Sequence, residues 1–238
     1  MRIIIAGAGR GGLNLAVHLQ NRGHSVMLIE RERAVVRHAA EAYGIVTLEG
    51  DATDAATLRQ SEPERADAML AMLHRDADNL GVGLLARSLG AKRIIVRMRD
   101  PAFRSVYEEV GIRQILSETE ILVGALATAI EFEAVSHSMV LGAGEAIAVE
   151  LKIPKGSWVV GKAISDIAAS PAFPRSCVVA GMLRDGAIQA ARGGSVVEAE
   201  MDLLVVAARD DLSATVDFFR RSTAVEAHET ARKLAGVR

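Results

Sequence analysis

The sequence contains almost no cysteine and few aromatic residues. Its single cysteine, Cys177, excludes a disulfide within these 238 residues, and its apolar neighbours predict a buried packing residue. Aromatic residues make up only 3% of the chain while hydrophobic residues make up 50%, so the core must be largely aliphatic. That composition favours an α/β protein, in which Val, Ile and Leu strands pack between Ala-rich helices.

A strong net charge and a long apolar run are also missing. The formal charge is −2, which gives no electrostatic reason to expect binding to nucleic acid or to an acidic membrane surface. No apolar run is long enough to span a bilayer, and the apolar start of the chain is typical of a core strand rather than of a signal peptide. We therefore expect a soluble, cytoplasmic protein with no nucleic-acid partner.

The usual constellations of catalytic side chains are absent from the sequence as well. None of the six histidines is spaced to form a metal site with cysteines or acids, or to pair with an aspartate. There is no serine elbow and no Tyr-x-x-x-Lys arrangement. We therefore predict that the chain has no catalytic residues and is not an enzyme.

What the sequence does contain is a glycine-rich fingerprint near its start. An apolar run at residues 2–6 is typical of a buried parallel strand, and it leads directly into Gly7, Gly9 and Gly12 in G-x-G-x-x-G spacing. A helical pattern follows, and the next strand finishes on Glu30. A lone glycine motif is weak, but strand, glycines, helix, strand and terminal acid in one unit predict a nucleotide site.

Each position in this fingerprint meets a physical need. Gly7 permits the sharp turn out of the strand, Gly9 lets the backbone approach a phosphate, and Gly12 lets the helix sit against the sheet. The exposed amides and the positive end of the helix then attract an anion. Glu30 can accept hydrogen bonds from ribose hydroxyls, although a strand-end acid without a ligand would give the same sequence.

The rest of the chain is typical of two domains. Strands alternate with helices up to a sixth strand at 113–116, which predicts a doubly wound parallel sheet of six strands with right-handed crossovers. A long helix is predicted at 118–137. Near Leu141 the pattern changes to half-solvated strands, short turns and a final helix that Asp210 or Asp211 can cap. The predicted domains are 1–137 and 138–220, followed by a charged tail at 221–238 that we expect to be a frayed helix or a mobile end.

Several motifs together resemble the nucleotide-binding RCK domain, which is also called the KTN or TrkA-N domain. They are GAGRGG at 7–12, GDATD at 50–54, the stretch at 71–79 and LGAKRIIVRMRDP at 89–101. The stretch IPKGSWVVGKAISDI at 153–167 resembles the companion C-terminal RCK domain. The resemblance implies a Rossmann-like first domain and a small α+β second domain. It also implies the role of a cytosolic gating subunit in a Trk/Ktr-type bacterial potassium uptake system.

The resemblance assigns roles to individual residues. Arg10 matches an arginine that reaches the terminal phosphates of ATP in some gating subunits, and Arg97 matches a basic residue that faces the phosphates. Asp51 and Thr53 match residues that flank the adenine. From the residues alone, Arg10 could also be a solvated side chain, Asp51 a turn former and Arg97 the partner of a carboxylate. The predicted nucleotide-binding residues are Gly7, Ala8, Gly9, Arg10, Gly11, Gly12, Glu30, Arg31, Asp51, Ala52, Thr53, Ala71, Met72 and Arg97.

In the family that the chain resembles, the nucleotide is a regulatory ligand, NAD(H) or ATP/ADP, and is not turned over. The resemblance thus implies a membrane potassium-translocating partner, a position at the inner face of the cell membrane through that partner, and dimers that assemble into tetrameric or octameric rings. The apolar face of helix 118–137 is then either a dimer element or part of an ordinary core helix.

An NAD-dependent oxidoreductase with a small C-terminal substrate domain is the alternative function. Glu30 favours a free 2′-hydroxyl and hence NAD over NADP, while the neighbouring Arg31 leaves both open. A dehydrogenase also needs a proton donor beside the nicotinamide, and no residue of the sequence stands out for that role.

One segment departs from the family pattern. Family members often carry Ser/His-Pro-Glu after the sixth strand, and in some of them the glutamate helps to place a divalent ion near the nucleotide. This chain has Ser117-Glu118-Thr119-Glu120 instead, with no proline and with the acids displaced to either side. We therefore predict no metal at that position.

Overall fold

The computed structural model describes residues 1–142, 145–184 and 186–223. Its contacts divide the chain into two compact units, Met1–Glu120 and Ile121–Arg238. The charged tail predicted at 221–238 lies outside the described residues from position 224 onward. Among the residues that are described, no helix is both long enough and apolar enough to cross a lipid bilayer.

The first unit is built on one parallel sheet. Its strands are β1 Arg2–Ala6, β2 Ser25–Glu30, β3 Val46–Glu49, β4 Ala68–Ala71, β5 Ile94–Met98 and β6 Gln114–Ser117. The helices of this unit are α1 Arg10–Asn21, α2 Arg33–Tyr43, α3 Ala55–Gln60, α4 Asp76–Ser88 and α5 Arg104–Glu109. The strand order is β3-β2-β1-β4-β5-β6 and every neighbouring pair is parallel. The predicted Rossmann-like, doubly wound sheet of six strands is therefore confirmed.

The sheet is covered on both faces because its central strand β1 is apolar and buried from Ile3 to Ala6. Along β1, Ile3 and Ile5 pack into a cluster with side chains of α1 and α2, whereas Ile4 and Ala6 pack into a second cluster with side chains of α3, α4 and α5. The chain builds outward from β1 in one direction to β3 and in the other to β6. This reversal leaves a crevice at the carboxyl ends of β1 and β4, which is where sheets of this kind bind ligands.

The second unit contains an antiparallel sheet. Its strands are β7 Val135–Leu141, β8 Ala146–Lys152, β9 Val178–Arg184, β10 Ala187–Ala190 and β11 Asp202–Ala208, and its helices after α6 Glu118–Glu131 are α7 Ile164–Ala168 and α8 Leu212–Arg220. The order is β10-β9-β11-β8-β7. Trp158 and Phe218 meet edge to face in the core, where the Trp158 Nε1–H donates to the Phe218 carbonyl at 2.8 Å. Cys177 is buried in the same core, as predicted, and burial raises the pKa of its thiol to about 12.

The helix predicted at 118–137 is too long at its carboxyl end. Helix α6 ends at Glu131, and residues 135–141 form β7, which pairs antiparallel with β8. Val135 is buried while Met139 is 61% exposed, as in a half-solvated strand. The prediction was wrong here because strand pairing with β8 provides the backbone hydrogen bonds, and that partner is not visible in the local sequence.

Two aspartates at helix amino ends behave differently. Asp54 caps α3, since its carboxylate accepts a hydrogen bond from the Thr57 amide at 2.9 Å. The Thr57 amide and hydroxyl together lower the pKa of Asp54. Asp211 occupies the N-cap position of α8, but its carboxylate accepts a hydrogen bond from the Ser176 hydroxyl and makes no cap to the helix. The predicted side-chain cap at Asp211 is therefore wrong.

Candidate functional site

A cavity of about 760 Å³ opens at the carboxyl ends of the parallel strands. Each of the six strands contributes a residue at or next to its end. These six residues are Gly7 after β1, Glu30 on β2, Gly50 after β3, Met72 after β4, Arg97 on β5 and Glu118 after β6. The cavity therefore belongs to the sheet edge as a whole, which is the ligand-binding edge of a doubly wound fold.

The glycine loop forms one wall of this cavity. Gly7 has φ +103, a value that strongly favours glycine, and a Cβ there would come within 2.9 Å of the Met72 carbonyl oxygen. A Cβ at Gly12 would come within 2.0 Å of the Gly7 oxygen, so α1 packs directly on the turn. Gly9 differs from both, because its φ is −57 and a Cβ there would meet no atom within 4 Å.

The amino end of α1 has no side-chain cap. Its N-cap residue is Gly9, which has no side chain to accept a hydrogen bond from the first amides of the helix. The first turn also contains no acidic residue to offset the positive end of the helix dipole. Backbone donors at a positive helix end, beside open space at Gly9, form an anion site of the kind that binds phosphate.

Glu30 links the end of β2 to the glycine loop. Its Oε2 accepts a hydrogen bond from the Ala8 amide at 2.9 Å, and its Oε1 accepts from the amides of Arg31 at 2.8 Å and Glu32 at 3.0 Å. The carboxylate is therefore fixed in place at the cavity wall by three backbone donors. A carboxylate held in this way can accept further hydrogen bonds from ligand hydroxyls without changing its position.

Asp51 and Thr53 line the cavity after β3 and hold each other in a tight turn. The Asp51 Oδ1 accepts from the Thr53 amide at 2.9 Å and from the Thr53 hydroxyl at 2.7 Å. These two hydrogen bonds, the hydroxyl first, lower the pKa of Asp51. Both side chains are exposed, while Ala52 between them is buried. The turn-forming role considered for Asp51 is thus present in the structure, at the rim of the cavity.

The floor of the cavity is fixed by two polar residues in the first turn of α4. The buried Asn79 accepts from the Leu73 amide at 2.7 Å and donates to the Leu73 carbonyl at 3.1 Å and the Arg97 carbonyl at 3.0 Å. The Asp76 carboxylate accepts from the amides of Arg99 at 3.0 Å and Asp100 at 2.9 Å. Backbone groups at the ends of β4 and β5 are therefore tied to one helix.

Arg97 lies at the cavity with its guanidinium partly engaged. Its Nη2 donates to the Leu73 carbonyl at 2.8 Å, and its Nη1 lies 3.4 Å from the Glu118 Oε2. Its Nε is buried and finds no acceptor among the described residues. The carboxylate pairing considered for Arg97 is thus observed, and one of its donors still lacks a partner. The Nη1 that faces Glu118 is therefore the part of this guanidinium that an anion in the cavity could contact.

Two family models match the chain. The TrkA-N domain matches residues 3–118 and the TrkA-C domain matches residues 148–220. A Trk system potassium uptake protein TrkA homolog of Methanothermobacter thermautotrophicus is 32% identical over 173 residues, which are 73% of this chain and 80% of that relative. The chain belongs to the TrkA family. The resemblance inferred from the motifs is therefore confirmed.

Other TrkA relatives are longer than this chain. A TrkA homolog of Archaeoglobus fulgidus is 31% identical over 223 residues, which are 92% of this chain but 50% of that relative. The matched part of this chain spans about half the length of several of these curated relatives.

Solved structures share the fold of this TrkA-family chain. The GsuK channel covers 93% of the chain with a TM-score of 0.67 at 22% identity, and the match takes in 40% of the channel chain. A structure of the GsuK channel bound to NAD covers 93% of the chain and 40% of that channel chain, with a TM-score of 0.65 at 21% identity. At these identities the likeness concerns the fold, and it confirms the α/β first part followed by a small C-terminal RCK part.

The cavity brings together most of the residues that the sequence predicted. Ala8 and Ala71 are the exceptions, since both are buried and do not line it. The predicted residues that line the cavity are Gly7, Gly9, Arg10, Gly11, Gly12, Glu30, Arg31, Asp51, Ala52, Thr53, Met72 and Arg97.

Sequence reasoning predicted Met72 after β4 but missed the residues that follow it in the cavity wall, from Leu73 to Asp78. Further lining residues are Ile29, Gly50, Leu73, His74, Arg75, Asp78 and Glu118. His74, Arg75 and Asp78 directly follow the end of a predicted strand, and this position was the available signal. Within the described part of the chain, His, Cys, Asp and Glu residues form no group of three or more that could hold a metal ion.

Proposed function

We propose that the first unit of this chain binds an adenine nucleotide, ATP/ADP or NAD(H), as a regulatory ligand. The observation that carries the proposal is the single cavity shared by all six strands, whose wall contains both a helix amino end without a side-chain cap and a carboxylate fixed by backbone amides. The proposed contact residues are the predicted residues that line this cavity, together with the segment after β4.

The residues present fit such a ligand at both of its ends. On the phosphate side, the cavity offers the open space at Gly9, the exposed Arg10 and Arg75 and the guanidinium of Arg97, which together suit a polyanion. On the nucleoside side, three backbone amides hold the Glu30 carboxylate, which can accept hydrogen bonds from ribose hydroxyls. We assign contact with the base to the turn at 51–53.

We further propose that the bound nucleotide regulates a membrane potassium-translocating partner and is not consumed. The curated relatives are named as Trk system potassium uptake proteins, and one structural neighbour is a channel bound to NAD. Regulation requires that a ligand bind one conformation of the protein better than another, because a ligand with equal affinity for both shifts nothing. This role would place the chain at the inner face of the membrane through its partner.

Calorimetric titration with ATP, ADP, NADH and NAD tests the nucleotide proposal. We expect at least one of them to bind at one molecule per chain, and we expect the hydrodynamic size of the protein to differ between ligands. Failure of all four ligands to bind would overturn the proposal. Steady oxidation of NADH by a keto acid, or steady reduction of NAD by a hydroxy acid, would instead support the oxidoreductase.

We also propose that α6 forms the contact between two copies of the chain. Its large apolar side chains are exposed, including Leu122 at 56%, Leu126 at 53% and Ile130 at 83%, and of its residues only Thr128 is buried. An ordinary core helix would bury such a face. A second copy presents the same apolar helix, so a two-fold contact would cover both faces at once.

Charge placed on α6 is therefore expected to separate the copies. The double variant Leu122→Glu/Leu126→Glu should weaken self-association by roughly 100-fold or more, since each leucine loses about 1.5–3 kcal/mol of burial. Sedimentation equilibrium measures the change. Ile188→Glu is the matched control, because Ile188 is 65% exposed on the edge strand β10 and should leave the size unchanged. If the double variant sediments like the parent protein, α6 does not form the contact between copies.

A further inference from the structure

We propose that Glu118 competes with the outer phosphates of the nucleotide for Arg97. The site would then discriminate its ligands by phosphate charge, through displacement of this one carboxylate. The inference rests on the proposed function and adds a regulatory element to the same cavity. It follows from how the carboxylate is held between its two arginine partners, Arg97 at the cavity wall and Arg99 outside the cavity lining.

The contacts of Glu118 with both arginines are loose. Its Oε2 lies 3.4 Å from the Arg97 Nη1 and 3.7 Å from the Arg99 Nε, which are ion-pair distances longer than a good charge-assisted hydrogen bond. The Glu118 side chain is 48% exposed. A pair with these features contributes no more than about 1 kcal/mol to stability, so a stronger anion can replace it.

The guanidinium of Arg97 is better fixed than its carboxylate partner. Its side chain is only 21% exposed, and its Nη2 donates to the Leu73 carbonyl, which also accepts from the buried Asn79. A single oxygen of Glu118 faces its Nη1, and only at 3.4 Å. A phosphate carries more charge and more oxygens than this carboxylate and can bind the same Nη1 at a shorter distance.

The backbone that carries Glu118 is held firmly. The Ser117 hydroxyl accepts from the Glu120 amide at 3.3 Å, in the manner of an N-cap. The Thr119 hydroxyl donates to the Arg99 carbonyl at 2.6 Å, and the Glu120 carboxylate pairs with Arg104 at 2.7 Å. The first turn of α6 therefore stays in place when the Glu118 side chain is displaced. Because α6 continues from Glu120 into the second unit at Ile121, the displaced carboxylate lies on the helix that leaves the nucleotide-binding unit.

The proposal predicts the sign of a substitution. Glu118→Gln keeps the size of the side chain and removes the competing charge, so it should strengthen ATP binding by about fivefold or more. The gain should be smaller for ADP, smaller again for AMP and absent for adenosine. It should also shrink as ionic strength rises, because the side chain is half exposed.

The experiment is calorimetric titration of the full chain and of Glu118→Gln with the four adenine ligands and with inorganic tripolyphosphate, in EDTA and in Mg²⁺. Glu120→Gln is the matched control, since it removes an equal charge from the same helix turn but pairs with Arg104 and does not line the cavity. We expect Glu118→Gln to gain affinity in proportion to the phosphate charge of the ligand, both in EDTA and in Mg²⁺. We expect no such gain for Glu120→Gln.

The possible results separate this inference from the proposed function. Nucleotide binding whose dependence on phosphate number is unchanged in Glu118→Gln overturns the inference and leaves the proposed function standing. Loss of affinity in Mg²⁺ alone also overturns the inference, because Glu118 would then bridge to phosphate through the ion. If nucleotides do not bind but tripolyphosphate binds more tightly to Glu118→Gln, the proposed nucleotide function fails while the competition stands. If neither class of ligand binds, both fail.

Discussion

Replacement of Gly12 by alanine is expected to prevent the first unit from folding stably. The added methyl group would lie 2.0 Å from the Gly7 oxygen and 3.1 Å from the Gly7 carbonyl carbon. Both are backbone atoms, so no side chain can move aside. The turn at Gly7 has no room either, because its own Cβ position is 2.9 Å from the Met72 oxygen. We expect a loss of roughly 4 kcal/mol or more in the free energy of unfolding, which is a large part of the total stability of a domain.

Urea unfolding followed by circular dichroism measures this loss. Gly11→Ala is the matched control, because its Cβ would meet the Met72 Cε at 3.5 Å, an ordinary contact. Alanine is also the better helix former, so Gly11→Ala should be neutral or slightly stabilising. Equal midpoints for Gly12→Ala and the parent protein would show that the packing of α1 on the glycine turn is not needed for folding.

Replacement of Gly9 by alanine is expected to give the opposite result, with stability kept and nucleotide binding lost. Gly9 has φ −57, which alanine adopts readily, and a Cβ there meets no protein atom within 4 Å. That open space lies at the amino end of α1, where we place the phosphates. A methyl group should therefore exclude the ligand rather than strain the protein, and we expect affinity to fall by about 100-fold, or roughly 2.7 kcal/mol.

Calorimetric titration beside a urea unfolding curve distinguishes the two effects at Gly9. Gly9→Asp should bind even more weakly, because it adds a negative charge to an anion site. The same titration on Gly81→Ala serves as the control, because a Cβ at Gly81 would also meet no atom within 4 Å and Gly81 does not line the cavity. Undiminished nucleotide binding by Gly9→Ala would place the phosphates elsewhere in the cavity.

Much of the first unit could be predicted from sequence because its signals are local. The apolar run of β1, the glycine spacing and the acid at the end of β2 each lie within a few residues of the structure they specify. The N-cap at Asp54 is of the same kind, since it bonds to Thr57 in the next turn. Such features need no knowledge of distant parts of the chain, so sequence reading recovers them.

The features that sequence reading missed depend on partners far along the chain. Strand β7 exists because β8 pairs with it, and its residues alone fit the end of the preceding helix equally well. The bond from Ala8 to Glu30, the ties made by Asn79 and the contact of Arg97 with Glu118 likewise join separate strands. Each becomes visible only once the order of strands in the sheet is known.

The polar floor of the cavity has a consequence for how such proteins diversify. Asn79 and Asp76 fix the floor through main-chain groups of β4 and β5, so its shape does not depend on which side chains surround the opening. Arg10, Arg31 and Arg75 at that opening are exposed, and substitutions at exposed positions usually change stability by less than about 0.5 kcal/mol. Substitutions around the cavity opening alone can therefore change the ligand preference of such proteins during evolution, while the fold beneath the opening stays the same.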